Sequence, residues 1–312
     1  MSNNNTNPPI NSDKVWTTLI TNISYLSGLL TLHHSLLRVN SSYPLLALYT
    51  DSFPLSSLSS LHSRGISTLH IPHILPPNSK SYSNDPRFID CWTKLIPFSF
   101  TQFTKIIQLD SDMLILRNMD ELFSLSLNNS TRLFAAGHAC VCNPLQNPHY
   151  PKSWNPQNCA FNSPLLSPKE AQTSGGNPLI LSPNLSYCNG GLQVVQPSLI
   201  LWNQIQNYMN THAAELDFAD QSVLSELFKG KWVALPYIYN ALKTMRWEGV
   251  HRNIWMDDKV KNIHYILTPK PWEIEEDDGL REEDKETHKW WKEMNEERKR
   301  NERERGISDE WS

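Results

Sequence analysis

Several features that would remove the chain from the class of ordinary globular enzymes are missing. No apolar run is long enough to span a bilayer. The longest helix-like one, Tyr25 to Val39, is broken by His33, His34, Ser35 and Arg38. Residues 1–9 are polar and carry neither the basic n-region nor the apolar core of a secretory leader, so the first 13 residues are expected to be disordered. Cysteine is sparse: Cys91, Cys140, Cys142, Cys159 and Cys188 are odd in number and follow no secreted spacing, which implies reduced thiols in a cytoplasmic protein. There is no internal repeat. Hydrophobic residues make up 39 % of the 312, below the usual globular share, so part of the chain is expected outside the core.

What is present is unevenly charged. Residues 273–312 hold 16 of the 32 acidic and 9 of the 28 basic residues, a net of −7, which leaves +3 on residues 1–272. A mildly basic body suits an anionic small molecule and falls far short of a nucleic-acid footprint, so no nucleic-acid partner is expected. The acidic end carries helical i,i+4 charge pairs and a Trp290-Trp291 pair that is expected to pack back on the body.

Between these ends, apolar runs alternate with helical patterns. Val15–Ile20, Leu45–Tyr49, Thr68–Ile74, Lys105–Leu109 and Leu133–Gly137 read as strands, separated by helical spacing over about 24–39, 55–62 and 91–100. Strand character returns at Gly191–Val195, Trp232–Leu235 and Asn262–Ile266, with helices over about 198–212 and 219–228. The alternation predicts an α/β fold with a mixed, mostly parallel central sheet flanked by helices, spanning residues 14–272 as one domain. Ligands of such sheets gather at the carboxyl ends of the strands, where Thr21-Asn22 and Asp110-Ser111-Asp112 fall.

Asp110 and Asp112 follow the apolar run Ile106–Leu109, and two acids one residue apart can face a single hard cation whose shell a diphosphate completes. A strand-ending turn capped by aspartates gives the same pattern. A phosphohydrolase aspartate pair fits less well, because Met113-Leu114 stands where that chemistry wants a small hydroxyl or β-branched residue.

Around these blocks the chain resembles glycosyltransferase family 8, the glycogenin-like nucleotide-sugar transferases that include the galactinol synthases. The resemblance runs from Thr18-Leu19-Ile20-Thr21-Asn22-Ile23-Ser24-Tyr25 with Gly28, through Thr93-Lys94-Leu95, to Leu109-Asp110-Ser111-Asp112 with Asn118–Phe123 behind it. It continues with Asn189-Gly190-Gly191, Asp220-Gln221, Leu235–Asn240, His264-Tyr265 and Lys270-Pro271-Trp272, all in the family's order. The resemblance implies a GT-A-type fold and a retaining, metal-dependent transfer of a hexose from UDP-glucose or UDP-galactose. By the same resemblance Asp110, Asp112 and His264 ligate the metal, Mn²⁺ or another divalent cation, for which a mixed oxygen and imidazole set is suited. Leu19, Thr21, Asn22 and Tyr25 line the nucleoside pocket, and Lys94, Arg87, Ser111 and Lys270 attend the phosphates. Asn189, Gly190, Asp217, Asp220 and Gln221 surround the sugar, with Asp217, Asp220, Gln221 and Lys94 as the catalytic candidates. Where the family often has a small residue before Lys-Pro-Trp, this chain has Ile266-Leu267-Thr268-Pro269.

Taken without the resemblance, Asp217 and Asp220 are also plausible helix caps, His264 a core histidine, and Asn189-Gly190-Gly191 a turn signal. Residues 138–178 form a long Pro-, Asn- and Ser-rich insertion, expected to shape the site of the acceptor, a small polyol, sugar or glycan. It carries Cys140, Cys142 and Cys159 with His138 and His149 nearby; these are zinc-ligand types, yet their spacing matches no familiar structural zinc pattern. A glycogenin-type self-glucosylating primer fits less well, since the charged tail has no tyrosine for attachment. A non-catalytic UDP-sugar-binding or scaffolding protein of the same fold is the competing class.

Overall fold

Strand β1 (Lys14–Ile20) lies at the middle of the chain's main sheet because both of its faces are apolar or small and both are covered. Parallel strands with helices on each face read as continuous hydrophobic runs. In a computed structural model, which describes residues 6–82, 86, 88–162, 169, 187–274 and 279–311, Val15 and Trp16 point into cores on opposite sides of the sheet. Ile106 and Ile107 of β4 (Lys105–Leu109) divide in the same way.

β2 (Leu45–Tyr49) and β3 (Ser67–His70) extend the sheet on one side of β1, all parallel. On the other side come β4, parallel to β1, then β7 (Cys188–Val195), β6 (Phe134–His138) and β8 (Val233–Leu235). β7 runs antiparallel to both neighbours, so the seven-stranded sheet is mixed but mostly parallel, as the sequence pattern implied. Helix α1 (Leu26–Arg38) covers one face, with α2 (Leu58–His62) beside it; the other carries α4 (Leu199–His212) and α5 (Ala219–Leu227) after the short α3 (Phe88–Cys91).

A second, three-stranded sheet was not visible in the sequence pattern. It pairs β10 (Asn262–His264) with β5 (Met113–Ile115) on one side and β9 (Ala241–Leu242) on the other. Its strands are two or three residues long, too short to show a period. Three other expectations are corrected. The strand begun at Ser67 ends at His70, short of Ile74. Residues 92–99 wind as a 3₁₀ turn around Pro97, which lacks the N–H an α-helix needs. Asn189-Gly190-Gly191 lies inside β7 and makes no turn.

The ends of the chain are tied to this body. Asn7 Nδ2 donates to Thr68 O and Asn7 Oδ1 accepts from Thr68 N, both at 2.9 Å, which ties Asn7 to β3, while Asp13 O accepts from Thr104 N at 2.7 Å beside β4. The acidic C-terminal segment forms α6 (Glu282–Glu304), with Trp291 buried in the core around β10. Part of the segment's contact with the body is polar: Arg64 bridges Glu302 at 2.8 Å and Asp309 at 2.7 Å, and within the helix Arg298 pairs with Glu302 at 2.7 Å. Residues 163–168 and 170–178 of the expected insertion lie outside the described residues. Among the described residues no helix is long and apolar enough to cross a membrane.

One buried pair fixes the start of α6. Lys243 and Asp284 are almost fully inaccessible, with Nζ 3.5 Å from Oδ2, and Asp284 Oδ1 also accepts from Trp247 Nε1 at 2.7 Å. Removing one partner of a buried pair strands the other charge, so Asp284→Ala is expected to cost about 3–5 kcal/mol in urea unfolding. Replacing Lys243 and Asp284 together by apolar residues of similar volume should recover most of that loss.

Candidate active site

Register brings the sequence blocks together. β1 and β4 are parallel with Thr18 beside Leu109, so Thr21-Asn22 and Asp110-Ser111-Asp112 leave the sheet at the same edge. β7 runs back beside β4, and Asp110 N donates to Gly191 O at 2.8 Å. In the small sheet His264 pairs with Met113, and Tyr265 N donates to Asp112 O at 2.9 Å. Residues far apart in the chain thus converge on one cavity of about 270 Å³.

At its centre, Asp110, Asp112 and His264 present ligand-type atoms that all lie within 4.8 Å of one another. His264 Nε2 is 3.2 Å from Asp112 Oδ1 and 3.6 Å from Asp110 Oδ2. Its other nitrogen, Nδ1, lies 3.0 Å from Asn240 Oδ1, while Asn240 Nδ2 donates to Asn189 Oδ1 at 2.8 Å. Because Asn240 Oδ1 can only accept, Nδ1 donates to it and Nε2 is the nitrogen turned toward the two carboxylates.

Two lysines close on the acid pair. Lys94 Nζ sits 2.6 Å from Asp110 Oδ1, and Lys270 Nζ 2.5 Å from Asp112 Oδ2 and 2.6 Å from Tyr265 O. Burial disfavours the charge on Asp112, but Lys270 and then His264 outweigh it and hold the carboxyl well below its usual range. Burial likewise disfavours the Lys94 ammonium, and the Asp110 carboxylate outweighs that and raises its pKa.

Asp220, in the first turn of α5, is the opposite case. Burial, reinforced by the Asp110 charge against the opposing pull of Lys94, pushes its carboxyl up to about 7. Its Oδ2 lies 3.3 Å from Gln193 Nε2. Gln221 Oε1 accepts from Asn189 Nδ2 at 3.1 Å and from Gly190 N at 3.0 Å, which fixes the amide with its NH₂ edge directed away from those donors. The close approach requires glycines. A Cβ at Gly190 would collide with the Asp220 carboxylate, and one at Gly191 with the His264 ring. At Gly28, where α1 meets the acid turn, a Cβ would stand 2.7 Å from both Ser111 O and the Trp272 ring.

The far end of the cavity is lined by Leu19, Thr21, Asn22 and Tyr25. Thr21 Oγ1 donates to Asp90 Oδ2 at 2.6 Å, and Asn22 Oδ1 caps the following turn through Ser24 N at 3.0 Å. Tyr25 meets Trp272 edge-on with centroids 5.7 Å apart, and Lys270 Nζ stands 5.9 Å from its ring.

Of the residues expected at the site, Lys94, Ser111, Asn189, Gly190, Asp220, Gln221 and Lys270 also line this cavity. Asp217 does not. It precedes α5 on a half-exposed turn and its Oδ1 pairs with Lys80 Nζ at 2.6 Å, whereas Asp220, in the first turn of the helix, faces inward. The N-cap position belongs to Phe218, so neither acid caps the helix. Arg87 lies outside the described residues. Sequence reasoning missed Asn240, Gln193 and Asp90 as site residues. Asn240 stood within a quoted block, but its role depends on a pairing between β9 and β10 that no local signal announces.

Leu267 lines the cavity in a left-handed conformation, φ 62°. This is the conformation a glycine would adopt without cost, and a leucine holds it against a local penalty of about 1–2 kcal/mol.

The family model for glycosyl transferase family 8 matches residues 17–166 and 186–276. Galactinol synthase 4 of Arabidopsis thaliana is 26 % identical over 285 residues, covering 90 % of this chain and 80 % of that protein. Galactinol synthase 1 of Solanum lycopersicum is 28 % identical over 281 residues, covering 88 % and 79 %. Among solved structures, the galactosyltransferase LgtC in complex with donor and acceptor sugar analogues superposes with a TM-score of 0.57 at 15 % identity, covering 89 % of this chain and 94 % of that one. That likeness establishes the GT-A fold.

The raised Asp220 pKa makes a prediction about stability. An unfolded aspartate loses its proton near pH 4, while the folded one keeps it to about 7, so folding takes up a proton between these values. The stability this group contributes is fully present below pH 4 and is lost as pH rises towards 7. Thermal melts in metal-free buffer should therefore show Asp220→Asn gaining on the wild type between pH 5 and pH 8; a constant gap would contradict the assignment.

Proposed function

Because the chain belongs to glycosyl transferase family 8, we propose that it transfers a hexose with retention from UDP-galactose or UDP-glucose to a small polyol, sugar or glycan, using Mn²⁺ or a similar divalent ion at Asp110, Asp112 and His264. The observation that carries this reading is the convergence of two carboxylates and an imidazole whose Nε2 is turned toward them by Asn240. That glycosyltransferases of this family use a nucleotide-sugar donor fits the mixed charge of the cavity. The galactinol synthases among the relatives favour galactose as the sugar.

The donor set suits the ion. Carboxylate oxygens with one imidazole match manganese better than calcium, and a His whose other ring nitrogen is held by an amide oxygen is the usual arrangement for a ligand. When bound, the ion screens the diphosphate's charge and draws electron density from the leaving oxygen. The chain's own residues supply the rest. Lys94 and Lys270 each hold one of the two aspartates, and their ammonium groups turn to the phosphates once those carboxylates are engaged elsewhere. Tyr25, beside Thr21 and Asn22, offers the nucleobase an aromatic surface.

On the sugar side, the Gln221 amide and the Asp220 carboxylate face the cavity together with Asn189. As positive charge develops at the anomeric carbon, an ionised Asp220 stabilises it, either at a distance or as a transient nucleophile. With Asp217 turned away to Lys80, Asp220 is the carboxylate of the two that can do this. Its elevated pKa makes the ionised form scarce in acid, so turnover is expected to fall as pH drops below about 7.

Donor hydrolysis tests the reading. Purified protein with Mn²⁺ and UDP-galactose or UDP-glucose should release UDP, and Asp112→Asn should lower that rate by about 10²–10³-fold. Asn240→Ala should weaken Mn²⁺ binding by about 10–100-fold in calorimetry while leaving the melting temperature within a few degrees of the parent. Absence of UDP release together with absence of Mn²⁺-dependent UDP binding would overturn the enzyme reading; binding without release would mark a non-catalytic module.

A further inference from the structure

A second cluster of ligand-type side chains lies on the wall of the same cavity, apart from the acid pair. Cys140 and Cys142 leave the end of β6 one residue apart, and Cys159 sits between two 3₁₀ turns, 156–158 and 160–162. His251 comes from a turn far along the chain, fixed by Ile254 N and Trp255 N donating to its carbonyl. The four are almost wholly withdrawn from solvent, with Cys140 the most accessible.

The geometry is that of four groups around a common centre. Cys140 Sγ, Cys142 Sγ and Cys159 Sγ lie 3.3, 3.4 and 3.3 Å from His251 Nε2, and all four ligand atoms fall within 4.8 Å of one another. In a tetrahedral zinc site with Zn–S near 2.3 Å and Zn–N near 2.0 Å, the edge from nitrogen to sulfur is roughly 3.5 Å and from sulfur to sulfur roughly 3.8 Å. The three nitrogen-to-sulfur edges agree with that geometry to about 0.2 Å. Hydrogen bonding does not explain the same arrangement, because one imidazole lone pair accepts one S–H and three sulfurs stand at equal range. Asn162 Nδ2 donates to Cys142 Sγ at 3.5 Å, the outer-shell contact expected of a thiolate that carries charge.

We propose that Cys140, Cys142, Cys159 and His251 bind one Zn²⁺ in a closed, four-coordinate structural site. Three thiolates with one imidazole are a soft set that selects zinc, whereas the oxygen-rich set at Asp110 and Asp112 is of the harder kind that accommodates manganese. With all four positions filled by protein, the ion has no open place for substrate and its work is to hold the chain together. What it holds is specific. The loop after β6 supplies cavity-lining residues Asn143, Asn147, Tyr150 and Trp154, and the site ties that loop to the turn carrying His251. That this wall receives the acceptor rests on the function proposed above; the metal site does not.

In the sequence the histidines near the three cysteines are His138 and His149, and neither joins the cluster. His138 packs instead on Trp232, with centroids 5.0 Å apart, and His149 on Tyr150 at 4.8 Å. The fourth ligand is His251, which no spacing rule could have joined to a loop so distant in sequence.

Metal analysis of the full chain tests the proposal. After dialysis against EDTA sufficient to remove Mn²⁺, the protein should retain one zinc per chain, and Cys142→Ser or His251→Ala should lower that content several-fold. His264→Ala should leave it at one. Exchange of the wild-type protein with Co²⁺ gives a readout that does not depend on a variant folding: strong tetrahedral d–d bands with thiolate charge transfer are expected. Zinc far below one per chain with no thiolate band overturns the proposal, as does zinc that is lost with His264→Ala and kept in Cys142→Ser. Both readouts are taken without turnover, so a failure of donor hydrolysis leaves them untouched.

Discussion

Holding two largely buried carboxylates side by side is the constraint on which the rest of the site depends. Like charges at close range raise each other's pKa, and burial adds to that. The chain answers with two ammonium groups and one imidazole from three different places: Lys94 on Asp110, Lys270 on Asp112, and His264 near both. Each is held by something further out. Asn240 and Asn189 orient His264, the Tyr265 carbonyl holds Lys270, and the glycines of β7 let Asp220 and His264 come within contact of the backbone.

The same constraint reaches the C-terminal helix. Lys270 follows Pro269, whose carbonyl accepts from Lys243 Nζ at 2.9 Å, and Lys243 is neutralised by Asp284 in the first turn of α6. A helix that composition alone would place outside the fold therefore backs the loop that carries the phosphate-side lysine. Part of its charge is spent on fixed partners, with Glu302 joined to Arg298 and Arg64 and the half-buried Asp309 to Arg64. The region that looked most solvated in sequence is thus among the better anchored.

How much was legible in the sequence follows from what each signal measures. The parallel strands showed as unbroken apolar runs because both sheet faces are covered, and Asp110-Ser111-Asp112 stood out because it ends such a run. His264 and Lys270 were reached only through the family resemblance, since nothing local distinguishes them from a core histidine and a loop lysine. Asp217 and Asp220 were indistinguishable for the same reason: helix phase decides which of them faces in, and the helix start was uncertain by about the difference between them. Asn189-Gly190-Gly191 reads as a turn by composition, but the glycines serve close packing within β7. The β5, β9 and β10 sheet, and with it the role of Asn240, is set by tertiary pairing that two- and three-residue strands cannot advertise.

The proposed function rests on the two aspartates and His264 forming a cation site that serves a nucleotide diphosphate. Anomalous diffraction at the manganese edge from crystals grown with Mn²⁺ and UDP tests it most directly. The account predicts a single strong manganese peak in contact with Asp110, Asp112 and His264, with diphosphate density beside it and Lys270 moved off Asp112. A well-ordered UDP in this cavity with no manganese peak among these three residues would contradict it.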